Sequence, residues 1–343
     1  IGAGEHILPV LPGHSMSSRQ ARGHGLAALV LAAAALFFYR HLLGGQLLVA
    51  RDIYRLLIPE TAYLRERLLQ GELPLWISRV RLGQPFAATL YTQVFYPPRL
   101  LTALAFEAPL AANALIAFHA VWAALGAYWC ARRLRVDRIS ALAAASFGFT
   151  PFFTFLSQAE HAASALSWTG WIMGAAIGLG RGGRLRDAAL VAGGLGFSAL
   201  AGCPELLVWQ SAGAVLVALW LAPPAQRRRT LGFGVGAVAW SVALSAIALL
   251  PALELIREWT RPGQGPPRDA LEWSSSPAQL LSMGWLFAEQ KMDVYWGRDQ
   301  WFVDTLFIGA LPCLLAMISV VRRRARPFLV LALACALLSL GRH

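Results

Sequence analysis

The sequence predicts an all-α, polytopic transmembrane helical bundle with long outer loops that carry interfacial helices. Three observations predict it. Of the 343 residues, 57% are apolar and only 14% charged, too greasy a balance for a water-soluble domain of this size. Apolar runs close to the ~20 residues needed to cross a hydrocarbon core of roughly 30 Å recur along the chain. Finally, just over half of the 30 basic residues sit in short clusters that occupy every second gap between those runs. The clusters are Arg19/Arg22, Arg132/Arg133/Arg135/Arg138, Arg181/Arg184/Arg186, Arg227/Arg228/Arg229 and Arg322/Arg323/Arg324/Arg326, with Asp137 and Asp187 among them. The alternate gaps hold most of the 18 acidic residues and are near neutral. Short Lys/Arg-rich loops stay in the cytoplasm during insertion, so the clusters and the N-terminus face inward and the carboxylates that can do chemistry face outward.

Taken in order, residues 1–23 read as a cytoplasmic N-terminal extension. Within it, Met16 opens Met-Ser-Ser-Arg-Gln-Ala-Arg, a polar and basic lead-in, and residues 1–15 read as an upstream addition without fold information. The transmembrane domain is expected over 24–343, with spans near 24–44, 108–130, 139–157, 162–180, 188–201, 205–222, 231–251, 302–321 and 327–341. The apolar run still in progress at Leu340 leads us to expect further chain beyond His343. Ala188 to Ala222 reads either as one long helix or as two spans. A single crossing would carry Arg227–Arg229 outside, so the charge pattern selects a hairpin whose outer tip is Gly202-Cys203-Pro204-Glu205.

Two outer segments, 45–107 and 252–301, are longer than a connector requires. In the first, Pro59 to Gln70 reads as a helix: Pro stands in its first turn, Leu64 and Leu68 share a face, and Gly71 is suited to the C-terminal cap. Glu60, Arg65, Glu66 and Arg67 are expected on its opposite, solvated face. A helix of this kind directly after a span either lies along the membrane interface, the favoured reading, or is a solvated connector.

The net charge of +12 follows in good part from this topology, which removes the argument for nucleic-acid binding. Cys130, Cys203, Cys313 and Cys335 are scattered without CxxC pairing and read as small core residues. His119 and Trp122, in the middle of a span, read as packing residues.

Asp52, in Ala-Arg-Asp-Ile-Tyr, falls just past the first span, at the depth of lipid phosphates. There it is either a solvated end-of-helix charge or a general base for a lipid-borne substrate. Glu160-His161 lies in the outer turn before the fourth span, in the same compartment as Asp52 and Glu205. These groups are suited to steer a sugar or hold a divalent cation, or they form a plain polar turn. Arg257, Arg261 and Arg298 face outward and either clamp a phosphate or meet anionic headgroups. Trp76, Tyr91 and Tyr96 follow Asp52 in one loop, and either one of them offers its ring face to a sugar or they belong, with Trp296 and Trp301, to an interfacial belt.

The order of motifs after Asp52 resembles the first outer loop of the YfhO-type membrane proteins, a family of the GT-C glycosyltransferase superfamily. Asp52-Ile-Tyr leads to Gly71-Glu72-Leu73-Pro74-Leu75-Trp76, then Leu82-Gly83-Gln84-Pro85 and Phe95-Tyr96-Pro97-Pro98. Ala201 to Glu205 resembles the family's Gly/Pro turn, Pro251 to Arg261 its following acidic and basic segment, and Tyr295-Trp296-Gly297 with Phe302 to Gly309 its paired aromatic-glycine stretch. The chain departs from that pattern at Cys203, Glu205 and Thr260, where the family has His, Gln and Ser. The resemblance implies a GT-C type fold in a bacterial inner membrane. It further implies sugar transfer on the outer face from a polyprenyl-phosphate-linked donor to an envelope acceptor, with Asp52 as catalytic base. Two other functions fit a polytopic chain: a transporter or flippase of a lipid-linked or amphipathic solute, which calls for polar groups at mid-depth and broken helices, and a non-enzymatic envelope scaffold.

Overall fold

The structure, a computed structural model, describes residues 18–46, 52–80, 82–157, 159–258 and 326–340, with the isolated positions 280, 283, 284, 308, 310, 313 and 314. Arg261, Arg298, the expected span 302–321 and nearly all of the second long outer segment lie outside the described residues. What is described is almost entirely helical, with a single two-stranded pair.

Helix α1 (Ser18–Phe38) is followed at Tyr39 by the single turn α2 (Arg40–Leu43), together covering the expected first span. Ala27, Leu31 and Ala35 recur every four residues and are buried, the stripe by which an apolar helix packs on a neighbour. Ala27 and Leu31 meet Ala124, Tyr128 and Ala131 of α5 (Ala108–Arg133).

The segment from Asp52 to Ala105, expected to be the first outer one, is a folded unit with its own core rather than a loop. A π-helical turn, Ile53–Leu57, starts at Asp52 and runs directly into α3 (Ile58–Leu69). Pro59, in the first turn of α3, has no N–H to give the preceding turn and its ring crowds the carbonyl four residues back, a conflict that a wider turn relieves. At the other end Gly71 takes φ +73, its N–H reaches Leu68 O and the Glu72 N–H reaches Arg67 O. This is a Schellman cap, so the glycine expected to end the helix does so. Strands β1 (Trp76–Ile77) and β2 (Gln84–Pro85) pair antiparallel, Trp76 opposite Pro85. Helix α4 (Pro97–Ala105) closes the unit, with Leu64, Ile77, Phe86, Val94 and Ala103 as its core.

The expected third span, 139–157, is interrupted: α6 (Arg138–Ala145), a 3-10 turn Ser146–Phe149, then α7 (Pro151–Leu156). Gly148 lies against the α5 backbone, where an added Cβ would overlap Ala120 O and crowd Ala124, and Pro151 cannot continue the hydrogen-bond ladder. Helices α8 (Glu160–Ser167) and α9 (Thr169–Gly182) follow with hardly a break at Trp168, then α10 (Leu185–Leu200), α11 (Pro204–Leu221), α12 (Arg227–Glu258) and, after the undescribed stretch, α13 (Arg326–Ser339). Helix α9 is the centre of the bundle: every residue from Ile172 to Gly180 is buried, enclosed by α5, α10 and α11. Among the described residues four helices are long and apolar enough to cross a membrane: Ala108–Arg133, Glu160–Gly182, Pro204–Leu221 and Pro224–Glu258.

The ends of these helices sort as the charge pattern requires. At one end Arg133 pairs with Asp187 at 2.8 Å, Arg181 donates to the Arg133 carbonyl, and the Gly183 turn approaches Gln226 and Arg229. At the other, the turn between α10 and α11 meets the first outer segment: Gln93 Nε2 donates to Ala201 O at 2.8 Å. Gly202, at φ +91, sits so close to Leu90 and Tyr91 that a side chain would overlap the Leu90 carbonyl. A hairpin at 201–203 is what brings these groups together, as a single crossing over 188–222 would not.

Candidate functional site

Where the first outer segment meets the α8 end and the α10–α11 turn, Asp52, Leu56, Leu57, Glu60, Tyr91, Ala159, Glu160 and His161 line one cavity of about 110 Å³. The local sequence places each of them. The π turn swings Asp52 and the Leu56–Leu57 pair to the same wall. The left-handed Gln93 (φ +57) ends the 3-10 turn Leu90–Thr92 and holds Tyr91 opposite. Glu160 and His161 stand in the first turn of α8, where the N–H groups of a helix start favour a carboxylate.

Glu60 departs from expectation. It was assigned to the solvated face of α3 but is buried with Thr61 and Leu64. Spacing accounts for this, because positions 60, 64 and 68 lie four apart and share a face. Burial pushes the Glu60 carboxyl up to about 7, with the charge of Glu160 adding to the rise and Arg99 opposing it. Arg99, from the first turn of α4, is 1% exposed. Its Nη2 donates to Leu57 O at 3.4 Å, while Nε and Nη1 have no hydrogen-bond partner. Burial lowers its pKa, and the fields of Glu160 and Glu60 oppose the shift. One guanidinium therefore sits between two carboxyls of the cavity wall without closing a direct ion pair to either.

Tyr96, expected to offer an exposed ring, is fully buried. Its ring stacks on His119 with centroids 5.6 Å apart, and its hydroxyl meets His119 Nε2 at 2.8 Å and the Trp168 Nε1–H at 2.9 Å. It cannot also stack on a sugar. His119, expected to be a packing residue, is instead the middle of a polar chain whose other side runs through Ser164 to Glu160. Trp122 does pack, stacked on Trp171 and Phe118.

Of the other expected site residues, Tyr91 is 38% exposed with its ring 6.2 Å from that of His161. Glu205 is exposed at the hairpin tip, where Cys203 Sγ lies 3.4 Å from its carboxylate. Burial, reinforced by that carboxylate, pushes the Cys203 thiol up to about 12, which makes it inert rather than nucleophilic. Both Glu205 and Asp52 lie within electrostatic reach of His161. Trp76 is exposed on β1, its indole lying over Gly83, and does not line the cavity. Arg257 is exposed in the last turn of α12. Among the described residues no group of three or more His, Cys, Asp or Glu is placed to hold a metal ion.

Comparison of the chain with known protein families, with characterised proteins and with solved structures finds no match.

Proposed function

We propose that this chain is a glycosyltransferase of the bacterial inner membrane. It moves a sugar from a polyprenyl-phosphate-linked donor to an envelope acceptor on the outer face, within a GT-C type bundle. The observation that carries the reading is the meeting of Asp52, Glu160, His161 and Tyr91 around one cavity at the end of the bundle remote from the arginine clusters. An apolar wall of Leu56 and Leu57 suits the first isoprene units of a lipid donor, and the Tyr91 ring suits the apolar face of a sugar.

In this reading Asp52 takes the proton of the acceptor hydroxyl as its oxygen attacks the anomeric carbon. The bond from that carbon to the phosphate oxygen breaks, and polyprenyl phosphate leaves with the electron pair. Arg99 supplies positive charge behind the wall, and Arg257, Arg261 and Arg298 are candidates for holding the donor phosphate. The test is transfer of labelled sugar in vesicles holding the full-length protein: Asp52→Asn should lower turnover by roughly 10²- to 10⁴-fold, the usual worth of general-base catalysis. Unchanged turnover removes Asp52 from the role.

A second reading, a flippase of a lipid-linked solute, is favoured by two observations: the interrupted segment 138–156 and the polar chain at His119, about 16 Å along α5 from its Ala108 end. Both are features of transport paths. Movement of a fluorescent polyprenyl-linked sugar between leaflets, without transfer, decides for it.

A further inference from the structure

Helices α10 and α12 run side by side in the same direction and touch at two levels. Near the arginine end the Gly183 turn lies against Arg229, and further along Gly196 packs on Leu244. Between these contacts they leave a groove of about 330 Å³, lined by Leu185, Ala188 and Ala192 on one side and by Gly232, Gly236 and Trp240 on the other. From Gly232 to Trp240 it is about 12 Å long. Its glycines differ from those inside the bundle. A Cβ added to Gly180 would overlap Ala218 O and one added to Gly194 would strike Ile172, so those glycines let helices touch. At Gly232 and Gly236 an added Cβ would meet no atom within 4 Å. Glycine weakens a helix relative to alanine, and here no protein contact offsets that. What the pair leaves is open apolar space beside Trp240, whose ring is largely exposed.

Charge marks one end of this groove. Arg229, Phe233, Gly236 and Trp240 follow one another at intervals of three or four residues and share one face of α12. The Arg229 guanidinium lies 5.3 Å from the centroid of the Phe233 ring, which is itself part of the lining. Across the mouth Arg184 stands between Leu185, at the start of the other wall, and Gly183, whose added Cβ would come within 4.0 Å of Arg229 Nε. Among the described residues no carboxylate pairs with Arg184 or Arg229. Asp187, one turn along α10, is engaged by Arg133. Two like charges held at the rim of an apolar groove call for an anion between them. We propose that the groove is a binding site for an anionic phospholipid of the leaflet at the arginine end. One acyl chain lies along Gly232 and Gly236, and the phosphate sits between Arg229 and Arg184. Guanidinium forks match a phosphate, and a chain that enters at this headgroup and runs about 12 Å inward reaches Trp240. The site is separate from the Asp52 cavity and does not depend on sugar transfer.

The test uses the full chain in phosphatidylcholine vesicles and phospholipids with bromine on their acyl chains, which quench tryptophan on contact. Trp240 is one of 13 tryptophans, so its emission is taken as the difference between each protein and its Trp240→Phe form. Brominated phosphatidylglycerol should half-quench Trp240 at a membrane fraction roughly 10- to 30-fold lower than brominated phosphatidylcholine, the worth of two arginines at an anionic headgroup. Arg184→Gln with Arg229→Gln should abolish that preference. Arg138→Gln with Arg326→Gln, two exposed arginines that do not line the groove, removes the same charge and should change the preference by less than about twofold. Gly236→Leu fills the groove and should cut quenching by phosphatidylglycerol by about half or more. Its melting temperature should be no lower than that of the wild type, because leucine is the better helix former and meets no protein atom there. Should that variant not fold, the arginine pairs decide alone. Equal quenching by the two lipids overturns the proposal. So does an equal loss in both arginine pairs, which is attraction of headgroups to net charge. Quenching by neither lipid overturns it as well, the result expected if another segment of this chain fills the groove.

Discussion

Gln93 donates to the carbonyl of Ala201 at 2.8 Å across 108 residues of chain, fastening the first outer segment to the tip of the α10–α11 hairpin. Gly202 beside it has the left-handed φ of +91 and no room for a Cβ. Gly202→Val should therefore cost about 2–5 kcal/mol, from backbone strain and overpacking together. The readout is a lower melting temperature, together with protease cleavage between 70 and 95 as the outer unit comes away. A variant as stable as the wild type would show that this contact does not hold the unit.

The segregation of helix ends predicts which surface each reagent reaches. On a background with Cys130, Cys203, Cys313 and Cys335 replaced, a cysteine at the exposed position of Glu72 should react with an impermeant maleimide added to intact cells. One at the exposed position of Arg228 should react only after permeabilisation. The opposite pattern would invert the orientation.

Glu60 predicts a pH dependence with a definite sign. Its folded pKa, about 7, stands above the ordinary 4.5, so between those values the folded state binds more protons than the unfolded one. Stability is then full below about pH 4.5 and declines as pH rises toward 7, by on the order of 3 kcal/mol for a group this buried. Glu60→Gln should flatten that part of the profile, which thermal unfolding in detergent between pH 4 and 8 can follow.

Asp187 is buried beside Gly178 and meets the half-buried Arg133 at 2.8 Å. Asp187→Ala leaves that guanidinium facing apolar helix surface. A loss of about 2–4 kcal/mol is expected, below the full figure for a buried pair because Arg133 keeps some contact with solvent. Arg133→Ala with Asp187→Ala should be less damaging than the sum of the two single changes, which a double-mutant cycle measures.

Much of this arrangement is legible before any coordinates. Charge alternation gives the sorting of helix ends and resolves Ala188 to Ala222 into a hairpin. Pro59 and Gly71 bracket α3, and Asp52, Tyr91, Glu160 and His161 are all singled out by position. Other features escape for identifiable reasons. Glu60 is misplaced although its spacing from Leu64 and Leu68 carried the answer, because charge outweighed periodicity. Arg99, in Pro97-Pro98-Arg99, gives no sign of burial, since that depends on Glu60 and Glu160 arriving from elsewhere in the chain. His119, an isolated histidine in an apolar helix, resembles a packing residue until Tyr96 and Ser164 are set beside it. The break at Ser146–Phe149 is hidden by an unbroken apolar composition and is caused by a glycine whose neighbour lies on another helix.

That break bears on how the protein is made. Backbone groups without partners cost several kcal/mol each in hydrocarbon, so segment 138–156, with its ladder interrupted, is poorly equipped to enter a bilayer by itself. Its Gly148 finds its seat only on Ala120 and Ala124 of α5. Synthesis delivers α5 first, as 26 residues of continuous helix, and the interrupted segment next, while the ribosome is still extending the chain. We expect the earlier helix to be the surface on which its successor settles.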